Sequence, residues 1–191
     1  MLKVDKNSCV GCGLCVSVCS GALKLDVEKG FAEVTDAESS CVNKAIRVCP
    51  QNAIKEISER LVFAVGTDDN KTVKSNDHVG MSRFFQIFEY NAGDLVLKET
   101  RDNPKYREDE TRIHGDPGKA KATASVLTDV DVLVGKMFGP NIVRLRKQFV
   151  CAVIREPDIE EAKKIIKDNI CEISAQNNRE DKPERMGIIL K

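Results

Sequence analysis

The chain has no tryptophan and only 5% aromatic residues, which leaves little material for the stacking platforms that single-stranded nucleic acids need. It has no net charge either. Its 30 lysines and arginines balance 30 aspartates and glutamates, so no global field draws nucleic acid or an anionic membrane surface. No apolar run approaches the roughly 20 residues of a membrane helix, and the opening MLKVDKNS lacks the apolar core of a signal peptide. A cytoplasmic protein that binds neither nucleic acid nor membrane is expected. Also absent are G-x-G-x-x-G, a P-loop and a nucleophile elbow. No acid-base or nucleophilic constellation takes their place, so no enzyme activity is expected.

What the chain does have is cysteine. Six of its eight cysteines fall in the first 49 residues, and reduced thiols clustered in this way point to metal rather than to a secreted disulfide scaffold. Cys9, Cys12, Cys15 and Cys19 are spaced C-x2-C-x2-C-x3-C, by which a tight loop aims three thiolates at the irons of a cubane. Gly11 and Gly13 let that loop close without a clashing Cβ. In two-cluster proteins the fourth cysteine of each run, usually followed by proline, serves the other cluster. Here Ser20 follows Cys19, whereas Pro50 follows Cys49.

Moving the motif forward by thirty residues places its cysteine positions on Ser39, Val42, Ala45 and Cys49. The pattern is that of a duplicated half-domain that has lost its second cluster and kept the cross-ligand. The expected ligands of one [4Fe-4S] cluster are therefore Cys9, Cys12, Cys15 and Cys49. Zinc competes for four thiolates, but zinc sites usually pair two separated C-x2-C knuckles. Two alternatives stay open for Cys19 and Cys41, a disulfide or free buried thiols.

These residues resemble a single-cluster [4Fe-4S] bacterial-type ferredoxin over the first 58 positions. The resemblance implies an α+β ferredoxin-type fold, electron transfer, and pairing of the Cys19 and Cys41 positions. Short strands are expected near Lys3 to Asp5 and Ala53 to Ile57, with helices after Cys15 and from Cys41 to Val48. A hairpin should turn at EKG.

Beyond Leu61 the texture changes. RLVFAVGTDD, SRFFQIFEY and DLVLKET read as three strands, the last two joined by a turn at NAG. The run from Arg101 to Arg112 reads as a solvated loop. GKAKATASVL then reads as a helix, DVDVLVG as a strand, PNIVRLRKQ as a helix and FVCAVI as a strand. PDIEEAKKIIKDNI is the last helix, with Ile159, Ala162, Ile165, Ile166 and Ile170 on one face and Asp158 and Glu161 at capping-box spacing. The order implies an α/β architecture with a mixed sheet. Three regions follow: 1–58, 60–174, and a charged C-terminal tail over 175–191 in which MGIIL is an alternative edge strand.

Three stretches, AVGTDDNKTVKSNDHVGMSRFFQIFEYNAG, TDVDVLVGKMFGPNIVRLRKQ and VCAVIREPDIEEAKKII, resemble the dinitrogenase iron-molybdenum cofactor biosynthesis family. Its small α/β domain occurs in NifX, NafY and the C-terminal part of NifB. The resemblance implies a ribonuclease H-like fold and a second, labile iron-sulfur or heterometal cluster held for storage or transfer, with metallocluster-assembly proteins or a redox partner as partners. The family's histidine-phenylalanine-glycine is matched by His78-Val79-Gly80, which lacks the phenylalanine. Candidate second-cluster residues are His78, His114, Arg83 and Lys136, near a helix start at Gly139 and Pro140 that could dock an anion. Cys151 and Cys171 are expected in the core. The halves together point to a carrier, scaffold or reductant of a metallocluster precursor. The alternative is an electron-transfer ferredoxin whose second domain only docks partners or regulates.

Overall fold

A computed structural model describes residues 1–57, 60–74, 76–91, 93–104, 116–179 and 187–190. The chain divides into two compact units, Met1–Ser58 and Glu59–Lys191. Among the described residues, no helix is long and apolar enough to cross a membrane.

The first unit is built from two strand–helix–strand halves. One half is β1 (Leu2–Val4), α1 (Leu14–Val18) and β2 (Leu23–Asp26); the other is β3 (Phe31–Val34), α2 (Val42–Val48) and β4 (Ile54–Glu56). The halves pair crosswise, β1 antiparallel to β4 with Lys3 opposite Lys55, and β2 antiparallel to β3 with Leu23 opposite Val34. Gly30 takes the positive φ that the turn between β2 and β3 needs, and Asp26 Oδ1 accepts from the Lys29 N–H in that turn. Leu2, Val4, Ala22, Leu23, Ala45 and Ile54 form the core together with Cys15 and Cys19. This small apolar set explains why a domain of this size leans on cross-links or metal.

The second unit is a six-stranded mixed sheet. Its first strands are β5 (Arg60–Thr67), β6 (Phe84–Asn91) and β7 (Asp94–Asp102), paired antiparallel in sequence order. Then β8 (Val132–Gly135) runs parallel to β5, and β9 (Val150–Ile154) runs parallel to β8. The spatial order is β10-β9-β8-β5-β6-β7, where β10 is Ile188–Leu190. Helix α3 (Pro117–Ser125) and the short α4 (Ile142–Leu145) cover one face, adding Ala124 and Leu145 to a core with Val62, Ala64, Phe85, Ile87 and Leu133. Helix α5 (Ile159–Asp168) lies over the opposite face, where Lys163 Nζ stands 5.5 Å from the centroid of Phe88. Its buried Ile159, Ala162 and Ile166 are spaced three and four apart, as an amphipathic helix requires.

Three expectations need correction here. Arg101 is not loop but the penultimate residue of β7, because its guanidinium reaches Asp129 (2.6 and 2.8 Å) and the Val126 carbonyl (2.8 Å). The last helix ends at Asn169, whose side-chain amide donates to the Ile165 carbonyl at 2.8 Å, and a further helix, α6 (Ile170–Asn177), follows. Residues 175–177, expected in the tail, therefore complete α6. The edge strand that MGIIL offered as the alternative to a tail does form, over Ile188–Leu190 and parallel to β9. Ile188 and Leu190 are 5% and 3% exposed while Ile189 is 55% exposed, the alternation that one buried sheet face imposes.

Candidate metal and cluster sites

The cysteine loop of the first unit is anchored at its entry by Asp5. The Asp5 carbonyl accepts from the backbone N–H of Ser8 (3.2 Å) and of Cys9 (2.9 Å), and its carboxylate takes the Ser8 hydroxyl (2.8 Å) and the Lys55 ammonium (3.2 Å). Burial alone would raise the Asp5 pKa, but the Ser8 and Lys55 hydrogen bonds outweigh it and hold the carboxyl below the usual range. Further along, Gly11 has φ +65°, and a Cβ there would stand 2.5 Å from the Gly30 carbonyl oxygen. The loop can fold down on the hairpin only because that atom is missing.

Cys9, Cys12, Cys15 and Cys49 line one cavity with Gly11, Gly13, Ala32 and Ile54. Cys15 is buried, Cys9 and Cys49 are half-buried, and Cys12 is exposed. Burial pushes the Cys15 thiol pKa up, and like charge on Cys9 and Cys49 adds to it, so these thiols sense one another. The Ala53 N–H donates to Cys49 Sγ at 3.3 Å. Among the described residues, no three His, Cys, Asp or Glu side chains gather closely enough to hold a single metal ion. Cys19 is outside the cavity lining and bonded to Cys41, with the sulfurs 1.99 Å apart.

In the second unit the loops that leave the C-terminal ends of β5 and β8 meet. This is where the strand order reverses, at β5, and open α/β sheets tend to bind ligands outside the carboxyl ends of the strands at such a point. His78 precedes a 3-10 turn over Val79–Met81 in the first of these loops. The turn is seated on two glycines. A Cβ on Gly66 or on Gly135 would fall 2.7 Å from a carbon of Val79, so the Val79 side chain fills a notch in the edge of the sheet. The Val79 N–H donates to the Met137 carbonyl (2.8 Å), and the Asn103 side-chain amide donates to the carbonyls of Gly80 (2.9 Å) and Ser82 (2.8 Å). The turn is thus held from the residue just past β7, from the loop after β8, and from the sheet beneath.

His78 lines a cavity of about 40 Å³ with Gly80, Lys119, Thr123, Gly139 and Pro140. Gly80, Lys119 and Thr123 also line the adjoining cleft of about 910 Å³, together with Met81, Arg83 and Asn103. Lys119 lies within α3 and contacts Met81 Sδ. Arg83 stacks on Phe84 at 5.0 Å. Lys136 is half-buried just past the end of β8 and is not in the lining of either space, while His114 lies outside the described residues. The expected anion seat at Gly139 and Pro140 loses its basis because α4 has only four residues and so little aligned dipole. Gly139 instead makes room for the imidazole. Cys151 and Cys171 are 1% and 3% exposed, inside the fold.

Sequence reasoning missed Lys119 and Asn103. Lys119 and Thr123 stand four apart on the face of α3 that also buries Ala120 and Ala124, and a lysine on an otherwise small, buried stripe is the signal that was there to read. Asn103 had no such signal, since its role depends on where β7 ends beside the His78 loop.

A cysteine-lined cavity in two paired strand–helix–strand halves, joined to an α/β unit, marks an iron-sulfur protein of the ferredoxin type with a second functional unit. Comparison with known families resolves both parts. The chain belongs to the dinitrogenase iron-molybdenum cofactor family, whose model matches residues 59–170, and residues 4–56 match the 4Fe-4S single cluster domain of ferredoxin I. A ferredoxin of Thermococcus litoralis is 37% identical over 54 residues, covering 28% of this chain and 92% of the ferredoxin. One of Moorella thermoacetica is 34% identical over 61 residues, covering 29% and 97%. The crystal structure of ferredoxin I from Desulfovibrio africanus is 33% identical over 29% of this chain and 91% of its own, with a TM-score of 0.27.

Proposed function

We propose that the protein carries a metallocluster precursor on its second unit during cofactor assembly, with the first unit as its electron-transfer module. In this reading Cys9, Cys12, Cys15 and Cys49 hold one [4Fe-4S] cluster, and residues 60–174 with the β10 edge form a ribonuclease H-like domain. When bound, such a cluster supplies one-electron transfer. The protein's own contribution is the Asp5-anchored loop, the close Gly11–Gly30 approach and the Ala53 N–H on Cys49, which fix the thiols in place.

The observation that carries the proposal is the contrast within the second unit. An imidazole, His78, lines a small cavity with Lys119, and Lys119 also lines the adjoining large cleft with Met81 and Arg83, while both thiols, Cys151 and Cys171, are sealed in the core. One open-sided nitrogen ligand with cations nearby suits an anionic cluster that must later leave. The cargo is delivered to, or taken from, cofactor-assembly proteins. Anaerobically purified full-length protein, titrated with a preformed iron-sulfur cluster, should take up iron and sulfide beyond one cubane, and His78→Ala should abolish the excess. Saturation at one cubane in both proteins rejects the carrier role.

One feature favours the simpler electron-transfer reading. Val10, Leu14, Val18 and Val48 are exposed close in sequence to the cysteine ligands, an apolar set suited to docking a redox partner. That reading predicts reversible cubane cycling and no second metal site.

A further inference from the structure

Metal-binding imidazoles have two nitrogens, and which one binds is set by what the other faces. At His78 the surroundings of the ring are asymmetric. A Cβ on Gly139 would fall 2.8 Å from His78 Nδ1, 2.9 Å from Cγ and 3.0 Å from Cε1, nearly equal distances that lay the face of the ring against the Gly139 backbone. Nδ1 in turn faces a carboxylate, with Asp77 Oδ1 3.5 Å away. That oxygen is itself fixed, accepting the His78 backbone N–H at 2.7 Å. The side chain is still 45% exposed.

From this geometry, and resting on the reading of His78 as a cluster ligand, we infer that His78 binds its cargo through Nε2, with Asp77 as the positioning residue that selects the nitrogen and Gly139 as the one that seats the ring. The carboxylate draws the ring proton to Nδ1, where it faces the charge of Asp77. The Nε2 lone pair is left facing outward. A carboxylate behind a ligating imidazole also makes the bound nitrogen more basic, and loss of such a partner typically costs 10- to 100-fold in metal affinity, roughly. Gly139 acts sterically. Any side chain at that position displaces the ring from its seat, so a helix-start glycine that looks like a plain cap becomes a determinant of ligand geometry.

The test uses full-length protein with histidine labelled by ¹⁵N at Nδ1 alone, charged with a thiolate-capped synthetic [4Fe-4S] cluster, reduced, and examined by pulsed electron paramagnetic resonance. The expected spectrum has a strongly coupled ¹⁴N and a weakly coupled, remote ¹⁵N. In unlabelled protein Asp77→Ala should shift the quadrupole coupling of the remote nitrogen and weaken cluster retention on the order of tenfold. Asp77→Asn, which keeps an acceptor oxygen, should recover part of both. Gly139→Ala should speed cluster loss with the unfolding midpoint unchanged. A strongly coupled ¹⁵N, or an Asp77→Ala protein with unaltered coupling and retention, overturns the assignment alone. Absence of histidine coupling in the wild type, or its persistence in His78→Ala, overturns the cluster-ligand reading and the assignment with it.

Discussion

Val79 occupies the space that a side chain on Gly135 would take: a Cβ on Gly135 would lie 2.7 Å from the Val79 Cβ. A turn residue and the last residue of β8 are thereby locked in a mutual fit at the C-terminal end of the central strands, with His78 next in the chain. Gly135→Ala should force the turn off its seat at an overpacking cost of about 1–3 kcal/mol. Denaturant unfolding of the second unit would show the loss, and cluster retention should fall with it. An unchanged unfolding midpoint would mean that the turn is not seated there.

The cysteines make a two-way prediction. Cys49→Ala should leave the first unit unable to hold a cubane, seen as loss of iron, sulfide and visible absorbance. Replacing Cys19 and Cys41 together by serine should spare the cluster but remove the cross-link over a sequence separation of 22, at a cost of about 3 kcal/mol under oxidising conditions. Cluster loss in the double serine variant would assign Cys19 or Cys41 a ligand role that the cavity lining does not support.

Acid should loosen the loop after β5. Asp69 accepts from the backbone N–H of Thr72 and of Lys71, and these bonds hold its pKa down to about 2. A carboxyl depressed in the folded state stabilises fully above its ordinary value near 4 and loses that contribution as pH falls toward its folded value. The carboxyl carbon shift of Asp69 should therefore titrate near pH 2, and the Thr72 amide should lose exchange protection over the same fall. Titration near pH 4 would show that the turn does not hold the charge.

Asp158 caps α5 by accepting from the N–H of Glu160 (2.8 Å) and of Glu161 (3.1 Å). Next to it, the Val73 N–H bonds to the Pro157 carbonyl and the Ile159 N–H to the Lys71 carbonyl, so the cap joins the helix to the loop after β5. Asp158→Ala should destabilise the second unit by about 1 kcal/mol. Asp158→Asn should recover most of this, as measured by thermal unfolding.

How far the sequence could be read depended on whether the relevant information was local. The cysteine spacing, the EKG turn and the apolar periodicity of α5 are local patterns, and each maps onto an element of the structure. The hydrophobic runs of β5, β6, β8 and β9 were equally plain, because buried strands must be apolar on both faces. The break at Asn169 was hidden, since the isoleucines continue past it and the side-chain bond that ends α5 leaves no periodic trace. Arg101 was read as solvent-facing from its charged neighbours; its partner, Asp129, is 28 residues away.

Sequence alone determined the two-part character of this protein and the candidate thiol set of its first unit, because a cubane loop needs its ligands at fixed short spacings and the half-repeat points to the fourth. Tertiary structure decided the geometry around His78 in the second unit. Gly66, Gly135 and Gly139 are unremarkable as letters. They matter because sheet pairing brings them under Val79 and His78, where the absence of a Cβ is what allows two loops to meet.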